Sequence, residues 1–275
     1  MSAPLVTRRR VLAGGGAVAA LGVVDVFGIE PNWLEVSHFD VPVPRLPKSL
    51  EGFRIAQVTD SHLQGLGRVE EGIVRTIESE NVQAVFLTGD IVNFTEDFPN
   101  LKDFCRELSR KNRLLIATLG NWEHWGEIPA VLLAATYANF GIKLLVNDAL
   151  TIVDAISVVA TDDSLTRSDD VARALGRRDR KTDVNLFLTH CPELLDRMPD
   201  SAGRFDLSLS GHTHGGQARL GSFAPLVPPG SGRFVSGWYD TKIGRSYVSR
   251  GTGMSVLPGR FDCRPELPIF TLRRG

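Results

Sequence analysis

The amino-acid sequence predicts an α/β protein built as two packed sheets flanked by helices, and three features carry that expectation. Short apolar runs of strand length recur from Phe53 onward. Helical periodicity separates several of them in the first half of the chain. The second half is denser in strands and poorer in helices, which suggests a second sheet stacked on the first.

Strands are expected at Phe53–Thr59, Ala84–Thr88, Leu114–Leu119, Ile142–Val146, Thr151–Val153, Ile156–Val159, Val184–Thr189 and Phe205–Ser210. Between the first two, Val69, Ile73, Val74 and Ile77 share a helical face; Leu101, Phe104, Cys105 and Leu108 do so between the second and third. Val131–Phe140 is a third helical segment. Pro31–Leu50, with Pro31, Pro42, Pro44 and Pro47, reads as an edge strand or extended lead-in. Asp162–Asp183 is dense in charge, as in a solvated helix and loop. Gly and Pro cluster in Gly211–Gly232, marking a long loop of the kind that carries binding residues. No internal repeat is present, so a solenoid or propeller is not supported.

The chain has 275 residues, 43% hydrophobic and 23% charged, an ordinary globular composition. A formal net charge of −1 gives no bulk field for holding nucleic acid, and no nucleic-acid partner is expected. Cys105, Cys191 and Cys263 are odd in number and irregular in spacing, against a disulfide framework or a thiolate zinc site. Residues 1–28 stand apart from the domain expected over 29–275. There Thr7-Arg8-Arg9-Arg10-Val11-Leu12 precedes an uncharged run, Val11–Val24, shorter than the roughly 20 residues a membrane-spanning helix needs. The motif resembles a twin-arginine export signal, which implies a location in the periplasm or cell envelope. A solvated basic tail before a buried helix is the competing reading.

Polar donors stand where the strands end. Phe53–Thr59 runs into Asp60-Ser61-His62, Ala84–Thr88 into Gly89-Asp90, and Leu114–Leu119 into Gly120-Asn121. Val184–Thr189 runs into His190, and Phe205–Ser210 into Gly211-His212-Thr213-His214. Strand ends of open α/β sheets are where ligands bind. In extended backbone, residues i and i+2 face one way, so Asp60 pairs with His62 and His212 with His214. Glycines at 89, 120 and 211 allow sharp turns and close approach. Asp, His and Asn donors without thiolate suit Mn, Fe or Zn, whereas Ca or Mg would take oxygen almost exclusively. Seven side chains exceed the need of one catalytic ion and fit two ions sharing a bridging carboxylate, for which Asp90 is the choice.

In order and over most of the chain, these motifs resemble the calcineurin-like metallophosphoesterases. Gly215-Gly216-Gln217, Ser249-Arg250-Gly251-Thr252-Gly253 and Pro258-Gly259-Arg260-Phe261 are similar to an exported, membrane-associated phosphodiesterase branch of that family. The resemblance implies a four-layer α/β/β/α sandwich. It also implies one ion among Asp60, His62, Asp90 and His214 and a second among Asp90, Asn121, His190 and His212. The implied activity is hydrolysis of a phosphodiester or pyrophosphate by a metal-bridging hydroxide, with a lipid or envelope headgroup as candidate substrate and Asn121 stabilising charge at phosphorus. Rival readings are a nuclease or nucleotidase on the same fold, and a non-catalytic envelope protein with a structural metal site. A monomer is expected.

One position departs from the family pattern. The family's asparagine is followed by a histidine, but Asn121 is followed by Trp122, Glu123 and His124. An indole donates one hydrogen bond and transfers no proton at neutral pH, so either His124 reaches the site as the acid from two positions on, or the acid is lacking and esters with good leaving groups or anhydrides are preferred. His38 has no partner in the pattern, and Cys191 reads as a small buried residue. Leu220, Phe223, Leu226 and Val227 read first as core packing; contact with a membrane surface or acyl chain is the sharper alternative.

Overall fold

The computed structural model describes residues 20–111 and 113–275. The Arg8-Arg9-Arg10 motif therefore lies outside the described residues. Strands form here because their side chains find apolar partners on both faces. In β3 (Ala84–Thr88), Ala84 and Phe86 enter a core between the two sheets, whereas Val85 and Leu87 enter a core beneath helices. In β8 (Val184–Leu188), Leu186 and Leu188 face the inter-sheet core and Phe187 faces out. Such uniformly apolar runs are the mark of parallel strands covered on both sides.

Among the described residues, one sheet has the order β1 (Glu35–Val43), β12 (Glu266–Arg274), β2 (Arg54–Val58), β3, β4 (Leu114–Thr118), β5 (Ile142–Leu144). The other runs β10 (Gly237–Thr241), β11 (Gly244–Val248), β9 (Phe205–Ser210), β8, β7 (Ile156–Ala160), β6 (Asp148–Ile152). Helices α1 (Arg68–Ser79), α2 (Phe98–Leu108) and α4 (Ala130–Ala138) bury Ile73, Phe104 and Tyr137 on the first sheet. Helices α5 (Val171–Arg177) and α6 (Glu193–Arg197) bury Leu175 and Leu195 on the second. The result is the four-layer α/β/β/α sandwich, with mixed sheets. The short α3 (Asn121–Trp125) begins directly after β4.

Three details differ from expectation, the first being that the charge-dense segment opens with Asp162, Asp163 and Ser164 buried, not solvated. The strand expected at Thr151–Val153 is β6, Asp148–Ile152, because Val153 and Asp154 turn with φ of 45° and 57°. β10, β11 and β12 were not anticipated, and β12 lies inside the first sheet, parallel to β1 and antiparallel to β2. Its Pro268 is tolerated because the β2 ladder reaches only Ile269–Thr271.

Strands β2, β3 and β4 are mutually parallel, as are β7, β8 and β9, so their C-terminal ends gather on one edge of the sandwich. Phe86, fully buried between the sheets, is the largest side chain of that core on β3. Phe86→Ala is expected to lower the unfolding free energy by about 3–5 kcal/mol, read from urea titration. A loss under about 1 kcal/mol would mean that the sheets do not pack through this residue.

Candidate metal centre

Every donor proposed from the strand ends is brought to one place, and each of the seven is at least 96% buried. Asp60, His62 and His214 form one group with ligand atoms within 4.8 Å; Asp60, Asp90 and His190 form a second. Asp90 Oδ2 lies 3.1 Å from His190 Nε2 and 3.9 Å from His62 Nε2. Asp60 Oδ1 lies 3.5 Å from His214 Nε2 and 3.9 Å from His190 Nε2. Each carboxylate thus borders imidazoles from both sheets.

The backbone that delivers these groups is strained. Asp60, His62, Asp90, His212 and His214 all have left-handed φ, between 45° and 71°. Gly89 has φ 90°, and a Cβ there would sit 2.6 Å from His190 Nδ1. A Cβ on Gly211 would collide with the Asp60 and Thr59 side chains. These two glycines let the strand ends converge.

Hydrogen bonds on the far side of the rings fix which nitrogen faces the cluster. His62 Nδ1 donates to Asn93 Oδ1 at 2.6 Å, and His190 Nδ1 donates to the Thr88 carbonyl at 2.8 Å. Both leave Nε2 as the inward lone pair. His212 reverses this: Nε2 donates to the Pro229 carbonyl at 2.6 Å, so Nδ1 is its free donor atom. His214 Nε2 lies 3.2 Å from His62 Nε2.

The cluster fits cations. Asn121 Oδ1 and His190 Nε2 are buried without a hydrogen-bond partner, and the donor set is mixed nitrogen and oxygen with two carboxylates. Burial pulls His190 down, but the Asp90 and Asp60 charges outweigh it and hold the imidazole well above its ordinary value.

Glu123 is the main residue that sequence reasoning missed. Its carboxylate accepts N–H bonds from Asp90 and Gly120, both at 2.9 Å, and from Ile91 at 2.7 Å, tying the ends of β3 and β4 together. Burial and the adjacent Asp90 push it up to about 7. Its place two residues after Asn121 was the available signal. Asn93 and Arg260 were missed too. Arg260 is fully buried and donates to the carbonyls of Gly253, Cys263, Arg250 and Gly251, shaping the segment against Asp60.

The remaining residues fall around the cluster. Trp122 stands edge-on to His62, with centroids 5.6 Å apart, and its backbone N–H donates to Asp90 Oδ1 at 2.8 Å. His124 lies outside the ligand groups, with Nε2 bonded to Asp162 Oδ1 at 2.7 Å. Asp162 holds the imidazole above its ordinary value, mainly through that hydrogen bond. Cys191 is buried but not merely apolar filling: Sγ donates to Asp163 Oδ1 at 3.0 Å, and it groups with His190 and His212. His38 pairs with Glu80 at 2.8 Å on the open side of β1. The core-packing expectation for the loop is corrected: Leu220, Phe223 and Leu226 are 69%, 64% and 66% exposed. This loop bonds to itself and to Phe261 instead of joining a sheet, which leaves its side chains outside.

Asn93→Ala removes the acceptor that orients His62. Metal affinity is expected to fall about 10–100-fold by titration calorimetry, with Asn93→Asp recovering most of it. Unchanged affinity in Asn93→Ala would show that His62 needs no such orientation.

Residues 53–216 match the calcineurin-like phosphoesterase family. The chain is 28% identical over 282 residues to the uncharacterized metallophosphoesterase YkuE of Bacillus subtilis, covering 97% of this chain and 98% of that one. It is 34% identical over 260 residues to an uncharacterized metallophosphoesterase of Campylobacter jejuni, covering 87% and 63% respectively. It is 28% identical over 283 residues to the phosphodiesterase YaeI of Escherichia coli, covering 98% and 100%. With buried Asp, His and Asn donors converging at the strand ends, the chain belongs to the calcineurin-like phosphoesterases and is a metal-dependent phosphoester hydrolase.

Proposed function

We propose that the chain hydrolyses a phosphodiester or pyrophosphate bond at a dinuclear metal centre, the substrate being a lipid or cell-envelope headgroup. The observation that carries the dinuclear reading is Asp90, whose Oδ2 lies between His190 and His62. Asp60, His62, Asp90 and His214 would hold one cation, and Asp90, Asn121, His190 and His212 the other. When bound, two divalent ions, Mn, Fe or Zn by donor type, would activate water and offset charge developing at phosphorus.

The chain's own groups do the rest. Asn121, at the start of α3, turns its amide to a phosphoryl oxygen and steadies the developing charge. Trp122 walls the site beside His62. His124 sits one turn beyond Asn121, and its Nδ1 has no hydrogen-bond partner among the described residues. Asp162, mainly through its hydrogen bond, favours the protonated imidazole, so that Nδ1 would deliver the proton to the leaving oxygen. Thr7-Arg8-Arg9-Arg10-Val11-Leu12 supports export of the folded chain to the envelope.

Metal analysis is expected to find two equivalents per chain, with turnover of an aryl phosphodiester. Asp90→Asn should lower kcat about 100-fold or more and reduce the metal content. Two bound equivalents with no turnover on any phosphoester would overturn the proposal, and turnover confined to nucleotides would favour a nucleotidase.

An acid must carry its proton, so turnover of esters with poor leaving groups should be full below the His124 value and fall as pH rises through it, above the ordinary 6.5. His124→Ala should cost about 100-fold on such esters and remove that alkaline limb. Asp162→Asn should shift the limb to lower pH. A limb unmoved in both variants takes His124 out of the reaction.

A further inference from the structure

We infer that the face bearing the mouth of the metal cleft docks on a lipid surface, an inference that rests on the phosphoesterase reading for what the docked cleft then does. Beside His214 a cleft of about 260 Å³ is walled by Leu226, Val227, Val256 and Leu257. Beside His62, on the other side of Ser255, a cleft of about 400 Å³ is lined by Ser61, Gln64 and Arg68. The cluster therefore lies between an almost wholly apolar cleft and one of mixed lining that includes Ser61, Gln64 and Arg68, an arrangement suited to an amphipathic phosphoester.

The apolar character continues onto the surface. Leu220, Phe223 and Leu226 are 64–69% exposed and Val256 is 81% exposed, and Leu226 and Val256 also line the apolar cleft. Leu220–Gly232 and Gly251–Gly259 contain no charged residue. The two loops belong together: Gln217 Nε2 donates to the carbonyls of Gly259 and Leu257, and the Arg219 N–H donates to the Phe261 carbonyl at 2.8 Å.

The chain's apolar N-terminal run arrives at this same face. The Arg260 N–H donates to the Val26 carbonyl at 3.0 Å, and Gly259 packs so closely that a Cβ there would meet Val26 and Phe27 within 3.0 Å. Leu21, Val23, Val24 and Phe27 are exposed beside it, and the 19 residues before Ala20 include the rest of the uncharged Val11–Val24 run. Trp33 is exposed nearby with the Arg264 guanidinium 3.7 Å from its ring centroid, a pair suited to the headgroup layer. Two uncharged loops, an apolar run and an interfacial tryptophan on one face fit a bilayer surface better than a protein partner with a polar rim.

The test uses the full-length protein and vesicles of phosphatidylcholine and phosphatidylglycerol with brominated acyl chains. Phe223→Trp should show fluorescence quenching beyond that of the native tryptophans. Val153→Trp, on the turn at the opposite end of β7, should show none. The double variant Leu220→Ser/Phe223→Ser should lose about tenfold or more in vesicle affinity while turning over a soluble aryl phosphodiester as the parent does. No added quenching at position 223, or unchanged vesicle affinity in the double variant, overturns the docking face and assigns any binding to the N-terminal run. Quenching at 223 in a protein that hydrolyses no phosphoester upholds the docking face and overturns the enzymatic reading instead.

Discussion

Two carboxylates buried side by side set the terms for the rest of this structure. Asp60 and Asp90 are almost wholly out of water, where like charges cannot both persist without compensation. Four imidazoles supply that compensation only in part, because three have a ring N–H committed outward to Asn93, Thr88 or Pro229. The two carboxylates hold the His190 imidazole above its ordinary value, and burial pushes the Asp60 carboxyl up. Cations at this site would compete with protons for the same groups, so charge balance and metal binding are linked.

Holding such a cluster together requires backbone that would not arise by itself. Five ligand residues take left-handed φ, each costing of order 1 kcal/mol or more relative to ordinary conformations. The surroundings over-determine them. Glu123 clamps the ends of β3 and β4, and Asp60 accepts the His212 N–H at 2.9 Å across the two sheets. Arg260 holds the segment containing Gly251, which packs against Asp60 Cβ. The Pro-Gly-Arg-Phe stretch thereby acquires a structural meaning: its arginine spends its donors on carbonyls, not on substrate.

Much of this was legible in the residues. β3 was delimited correctly because every position in it is apolar or small and each face has its own core, and β9 because Phe205, Leu207 and Leu209 alternate along it with polar residues. The candidate donors were legible because their side-chain types are unusual for strand ends and recur at five of them. β12 was not, since Pro268 and the terminal Arg273-Arg274 break the strand pattern and its place between β1 and β2 depends on chain ends more than 200 residues apart. The loop at Leu220 was misjudged for a related reason: apolar composition reports the tendency to leave water but not whether a core is within reach.

The sequence by itself determined which donors exist and their spacing, because these are local and covalent. Only the tertiary structure decided which nitrogen of each imidazole faces inward, which carboxylate borders both sheets, and which apolar side chains stay exposed. Those properties are set by partners such as Asn93 for His62, Thr88 for His190 and Asp60 for His212, which lie 31, 102 and 152 residues away along the chain. Tautomer, charge balance and burial belong to contacts, and contacts between distant residues exist only once the chain has folded.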